Sequence, residues 1–224
     1  MSSIGKDLRK ILGEKQVLEL PEDVSAYAND ATFYIAKKSP DAVAIPQTTE
    51  EVSKIVKYAF DNKIPVVPRG AGSGLAGGCT PVHGGIVLDM KWMNRIIDID
   101  HKNMSATVDC GVVLNDFNKA IDKQGLFYPP DPQSMSVCTL GGNIATRAGG
   151  PRGVKYGTTE RYVMGLEVVL PDGSVMTPGG KVMKMSSGYD ITHLMTGSEG
   201  TLGVITSAHL RLLPKPAAKR TIVV

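Results

Sequence analysis

Apolar residues recur along this chain with two different periods. Val52, Ile55, Val56, Ala59 and Phe60 stand at i, i+3, i+4, i+7 and i+8, the apolar stripe of an amphipathic helix. Thr48 precedes the stripe as an N-cap, and Glu51 three residues later completes a capping box. Short apolar runs at 42–46 and 64–67 flank the helix and read as strands. The order strand, helix, strand implies a small parallel pair. A charged helix is expected before it, over 5–19.

After residue 90 the pattern changes. Segments 94–100 and 105–110 read as neighbouring strands. Val113, Leu114, Phe117 and Ile121 mark a second amphipathic helix, closed by Gly125. A turn follows at Pro129-Pro130-Asp131-Pro132, and residues 140–146 open a glycine-rich helix. Segments 163–170 and 175–177, joined by Pro171-Asp172-Gly173-Ser174, form a hairpin. A short helix covers 191–195, and a long strand covers 201–213, ended by Pro214 and Pro216. There is no internal repeat. The expected fold is α+β in two lobes: residues 1–95 with a small parallel βαβ unit, and residues 96–224, larger and mainly antiparallel.

Glycine changes the picture. The 25 glycines cluster at 70–85, 141–157 and 197–203. The first cluster begins Pro68-Arg69-Gly70-Ala71-Gly72-Ser73-Gly74-Leu75 and follows a strand directly. Ligands of open α/β sheets sit at such strand ends. A glycine run exposes a row of backbone N–H groups that a pyrophosphate can approach, and Arg69 stands at its mouth. Residues 72–77 also fit G-x-G-x-x-G, with Asp98 about 20 residues on. That fingerprint must open a helix. Here two more glycines and a proline lead instead to a strand at 86–90, which removes the NAD reading. No Gly-Lys-Ser/Thr follows for an ATP-type loop. A purely structural loop is the alternative, although structureless loops of this length usually carry function.

In the second cluster Gly141 and Gly142 stand at a helix start, where unpaired N–H groups and the positive dipole end are expected to face outward. Asn143 adds an amide, and Ala145 and Ala148 let a flat ring come close. Tight helix packing through small residues is the alternative. In the third cluster Glu199 lies between glycines. It reads either as a solvated turn acid or as a carboxylate accepting from loop N–H groups or a cofactor hydroxyl. Val204 and Ile205 follow, with main-chain amides suited to an adenine edge.

Composition narrows the function classes. The net charge is +3 with scattered basic residues and a short basic tail at Lys215, Lys219 and Arg220. With four Phe, seven Tyr and one Trp, a basic stacking surface for nucleic acid is not expected. No apolar run is long enough to span a bilayer, and the first residues lack the apolar core of a secretory signal. Cys79, Cys110 and Cys138 are an odd number and far apart, and read as reduced thiols of a cytoplasmic protein. The four histidines make no zinc spacing. There is no G-x-S-x-G and there are no paired acids in one motif. A large ligand gripped by backbone, without a catalytic pair, points to a cofactor that brings its own chemistry.

The segment 68–74, then Gly141-Gly142-Asn143 with Gly149-Gly150, then 197–203 with Ile205-Thr206, resembles the FAD-binding domain of the vanillyl-alcohol-oxidase/PCMH flavoproteins. Pro129-Pro130-Asp131-Pro132 and Gly188-Tyr189-Asp190 are similar to its branch of glycolate oxidases and D-lactate dehydrogenases. The resemblance covers roughly residues 20–220.

It implies FAD between two α+β lobes. The first loop, Pro68 to Leu75, would hold the pyrophosphate. Asp131, Ser134, Thr139, Gly141, Gly142 and Asn143 would line the pyrophosphate and flavin side, with Ala145 and Gly149 beside them. Glu199, Gly200, Val204 and Ile205 would meet the adenosine. Some relatives tether flavin through a histidine in the first loop; positions 68–78 contain none, so non-covalent FAD is expected. Arg147 departs from the pattern, which has an amide or small residue there. It reads as a second positive charge stabilising reduced flavin, or as a surface arginine.

Family members continue into a cap domain carrying the substrate-binding groups. This chain ends in the apolar run Thr221-Ile222-Val223-Val224, so a longer parent protein, or a split subunit with a cap-bearing partner, is expected. The resemblance implies a domain of a 2-hydroxyacid dehydrogenase, with an electron-transfer flavoprotein or iron–sulfur subunit as a further partner. The setting would be cytoplasmic, peripheral to a membrane only through partners. The alternatives are a non-catalytic electron-relay subunit and a nucleotide-binding module without flavin.

Overall fold

A four-stranded sheet and a five-stranded sheet divide the chain between residues 89 and 96. The computed structural model describes residues 3–32, 38–218 and 220. Lys219 of the expected basic tail, the apolar end at 221–224 and the first two residues lie outside the described residues.

The first sheet holds β1 (Val17–Leu18), β2 (Ala42–Ala44), β3 (Val66–Arg69) and β4 (Ile86–Asp89), in the order β1-β2-β4-β3. Helices α1 (Ser3–Leu12), α2 (Pro21–Ser25) and α3 (Thr49–Asp61) belong to the same lobe. β2 and β3 are parallel, as the βαβ order requires, but they do not pair. Both pair with β4, Ala42 and Val66 meeting Ile86 from opposite sides. Ile86, Val87 and Leu88 have no solvent exposure, so the most apolar strand takes the centre.

Local signals explain most boundaries. Thr48 caps α3 by accepting from Glu51 N–H at 3.2 Å. Glu51 reaches back one residue further than a capping box requires, to Gln47 N–H at 2.7 Å. Val52, Ile55, Val56 and Ala59 are buried, but Phe60 at the stripe's edge is 56% exposed. α1 stops at Leu12 rather than 19, because Gly13 follows with φ 99. β3 runs two residues later than expected, so Arg69 ends a strand instead of opening a loop.

The second sheet contains β5 (Ile96–Asp100), β6 (Ser105–Asp109), β8 (Val163–Val169), β9 (Val175–Met176) and β10 (Val204–Arg211), all antiparallel, in the order β5-β6-β10-β8-β9. α4 (Leu114–Asp122), α5 (Leu140–Ala145), α6 (Gly153–Tyr156) and α7 (Ile191–Met195) surround it, and β7 (Leu126–Phe127) pairs with β11 (Leu213–Pro214). One hydrophobic core runs from Leu8 to Leu212 and takes residues from both sheets. Each fully buried aliphatic in it contributes about 1.5–3 kcal/mol. No helix among the described residues is long and apolar enough to cross a membrane.

Candidate functional site

β3 delivers the first glycine cluster to the C-terminal end of the parallel strands. There the chain meets the other two clusters in one cleft of about 510 Å³. Three close approaches join them. Thr139 Oγ1 lies against the Cα of Gly70, in the space of a missing side chain. Gly200, at φ +80, lies on the Pro68 ring, where a Cβ would stand 2.9 Å from Cγ. Glu199 Oε2 reaches the far end of the first loop, 2.6 Å from where a Cβ of Gly78 would be. Backbone bonds tie the third cluster to α5, from Gly197 N–H to Ile144 O and from Glu199 N–H to Ala145 O, both at 2.9 Å.

The free hydrogen-bonding groups are distributed unevenly. From Ala71 to Gly78 no backbone N–H donates to an acceptor among the described residues. The expected outward N–H groups of α5 are, in contrast, engaged inside the protein. Leu140 donates to Val112 O, Gly141 to Cys110 O, Gly142 to Thr139 Oγ1 and Asn143 to Thr139 O. The N–H groups of the first loop are therefore open to an anion, while those in the first turn of α5 are not. α5 contributes small side chains and Asn143, whose Nδ2 is buried without a partner. A buried amide in that state is costly unless a ligand accepts from it.

Arg69 supplies the positive charge. Its Nη1 donates to Asn29 O at 2.7 Å and reaches Cys79 Sγ at 3.6 Å. It makes no ion pair among the described residues. The opposite wall is apolar, with Met90, Cys110, Cys138 and Ile205 all buried. Free N–H donors, one unpaired cation, an apolar wall and an orphaned amide together suit a dinucleotide with a pyrophosphate and a flat ring.

Seventeen of the twenty residues singled out in the sequence line this cleft. They are Pro68 to Leu75, Ser134, Thr139, Gly141, Gly142, Asn143, Ala145, Glu199, Gly200 and Ile205. Asp131, Gly149 and Val204 do not. Asp131 pairs with Arg152 at 3.0 Å, Gly149 faces Thr158, and Val204 is buried in β10 opposite Val169.

Sequence reasoning missed Asp30, Cys79, Cys110 and Cys138 as lining residues. The cysteines are separated in sequence but converge on this cleft. Burial pushes the Cys79 thiol above its ordinary pKa, against the pull of Arg69, and pushes Cys110 up further. No sequence motif marks Asp30.

Arg147 does not line the cleft. Its guanidinium donates to Thr196 O at 3.0 Å, at the end of α7, and pairs with Glu160 at 3.3 Å. A second, larger cavity of about 670 Å³ lies between the start of α3 and the second sheet. Two of its charged groups are paired, Arg95 with Asp109 at 2.7 Å, and Glu167 accepts from the Thr49 and Thr206 hydroxyls.

Residues 40–179 match the family model described as FAD binding domain. The glycolate oxidase subunit GlcD of Bacillus subtilis is 47% identical over 223 residues, which are 98% of this chain and 47% of that protein. A D-lactate dehydrogenase of Anaerostipes hadrus is 42% identical over 215 residues, 96% of this chain and 45% of that protein. The chain thus spans about half the length of the curated relatives it matches. The crystal structure of p-cresol methylhydroxylase with substrate bound aligns with a TM-score of 0.84 at 26% identity, over 96% of this chain and 44% of that one. The family match covers more than half of the chain and takes in the first two glycine clusters, so the chain belongs to the FAD binding domain family of the vanillyl-alcohol-oxidase/PCMH flavoproteins.

Proposed function

We propose that this chain is the FAD-holding half of a 2-hydroxyacid dehydrogenase of the glycolate and D-lactate type, with FAD bound non-covalently in the glycine-lined cleft. The observation that carries the reading is the pairing of unengaged N–H groups from Ala71 to Gly78 with the unpaired Arg69. Neither has a bonded carboxylate partner among the described residues, and a pyrophosphate supplies the acceptors. The buried Asn143 amide and the apolar wall of Met90 and Cys110 face the ring system. Glu199, Gly200 and Ile205 take the adenosine side.

Bound FAD supplies the hydride acceptor. The chain's own residues bind it, orient it and keep water from its apolar side. No histidine lines the cleft, so we assign removal of the substrate hydroxyl proton to the other half of the protein or to a cap-bearing partner subunit. An electron-transfer flavoprotein or iron–sulfur subunit is the proposed electron acceptor. Three free cysteines support a cytoplasmic setting.

The test is a titration of the purified chain with FAD, FMN and riboflavin, followed by flavin fluorescence and by melting temperature. The expected result is stabilisation by FAD well beyond FMN and riboflavin, release of flavin on heating, and little oxidation of glycolate or D-lactate. A chain that FAD does not stabilise overturns the reading. Robust oxidation by the chain alone overturns the assignment of the base.

A further inference from the structure

Residues 27–31 hold the first glycine loop from outside it. Ala31 N–H donates to Gly74 O at 3.1 Å, and Asn29 O accepts from Arg69 Nη1 at 2.7 Å. The Arg69 guanidinium carbon lies 5.5 Å from the centroid of the Tyr27 ring, within cation–π range. The Tyr27 hydroxyl donates to Asp89 Oδ2 at 2.7 Å and accepts from Lys91 Nζ at 3.0 Å.

These contacts explain why Arg69 is unpaired. Asp89 is its register partner across β3 and β4, and a buried carboxylate beside an arginine ordinarily captures it. Here Asp89 is already occupied, by the Tyr27 hydroxyl and by Lys91 at 2.9 Å. Asp30, a carboxylate on the cleft wall, accepts from Thr32 N–H at 2.9 Å. Arg69 is left with a neutral carbonyl and an aromatic face. Both hold it in place without cancelling its charge.

Resting on the reading that FAD fills the cleft, we propose that Tyr27 is a positioning residue for the anion site. It occupies the Asp89 carboxylate with its hydroxyl and carries Arg69 on its ring, keeping the guanidinium free for a pyrophosphate.

The test is a double-mutant cycle on the whole chain, with FAD affinity read by fluorescence quenching and folding checked by circular dichroism. Tyr27→Leu should weaken FAD binding about tenfold, and Tyr27→Phe, which keeps the ring, about threefold. In an Arg69→Met background either Tyr27 change should alter affinity less than about twofold, because Tyr27 acts through Arg69. Should Tyr27→Leu fail to fold, Tyr27→Phe in the two backgrounds decides. Equal losses in both backgrounds, or no loss in either, overturn the positioning role while FAD binding by the unmutated chain stands. Failure of the unmutated chain to bind FAD overturns the cofactor reading and the positioning role together.

Discussion

The Thr139 hydroxyl occupies the space that a side chain at Gly70 would need. The same hydroxyl accepts from Gly142 N–H at 3.2 Å and caps α5. Gly70→Ala should therefore displace the cap as well as crowd the cleft. We expect Gly70→Ala to cost about 1–2 kcal/mol of stability and Thr139→Ala about 1 kcal/mol. The double variant should cost less than their sum, since removing the hydroxyl makes room for the new methyl. Thermal or urea unfolding of the four proteins measures this, and strict additivity would show that the two residues do not share the space.

Asn143 should separate folding from binding. Its Nδ2 is buried and unpartnered, so Asn143→Leu removes a cost of the empty protein rather than a bond. The variant should melt at or above the parent temperature without FAD, yet bind FAD about tenfold more weakly. Parallel losses in both measurements would assign the amide to the fold instead.

His209 predicts an acid-side loss of stability. Burial, assisted by the Lys181 charge, holds its pKa below the ordinary 6.5, and its Nδ1 lies 3.0 Å from Thr107 Oγ1. The folded protein then binds this proton less readily than the unfolded chain. The stabilisation is complete above about pH 6.5 and is lost as pH falls towards the depressed value. Replacing His209 with Gln should flatten the unfolding free energy over that window. An unchanged pH slope would remove His209 as its source.

Arg147 decides whether a second cationic group serves the cofactor. Its guanidinium faces Thr196 and Glu160, and its backbone has φ 52, a region asparagine tolerates better. Arg147→Asn should leave FAD affinity within about twofold, since the loss of a part-exposed ion pair acts on α7 rather than on the cleft. A large drop in affinity with an unchanged melting temperature would restore the cofactor role.

Patterns local in sequence were legible. The stripe through Val52, Ile55, Val56 and Ala59, the Thr48 cap and the short helix at 191–195 all follow from spacing and capping chemistry. What spacing cannot encode is which strand takes the centre of a sheet. β4 comes last of the four in sequence yet lies between β2 and β3, with Ile86, Val87 and Leu88 fully buried. The glycine clusters announced a backbone-lined cleft, but not which of its N–H groups are free. That depended on Val112 and Cys110, whose carbonyls take the Leu140 and Gly141 N–H groups. Tyr27 and Asp30 carry no motif, since their place beside the loop comes from tertiary contacts across some 40 residues of chain.

The main core from Leu8 to Leu212 draws on both sheets and makes them one cooperative unit, beside a smaller cluster of Val24, Val43, Ile45 and Val87 within the first lobe. Neither lobe keeps a complete interior if the chain is divided near residue 95, because the aliphatics of α3 share that core with residues of the second sheet. Heat or denaturant should melt both lobes together in one transition. Hinged separation of the two walls of the cleft would then have to open that shared core. Exchange of whatever fills the cleft should instead proceed through the first loop, where backbone donors have no internal partner and local opening breaks few bonds.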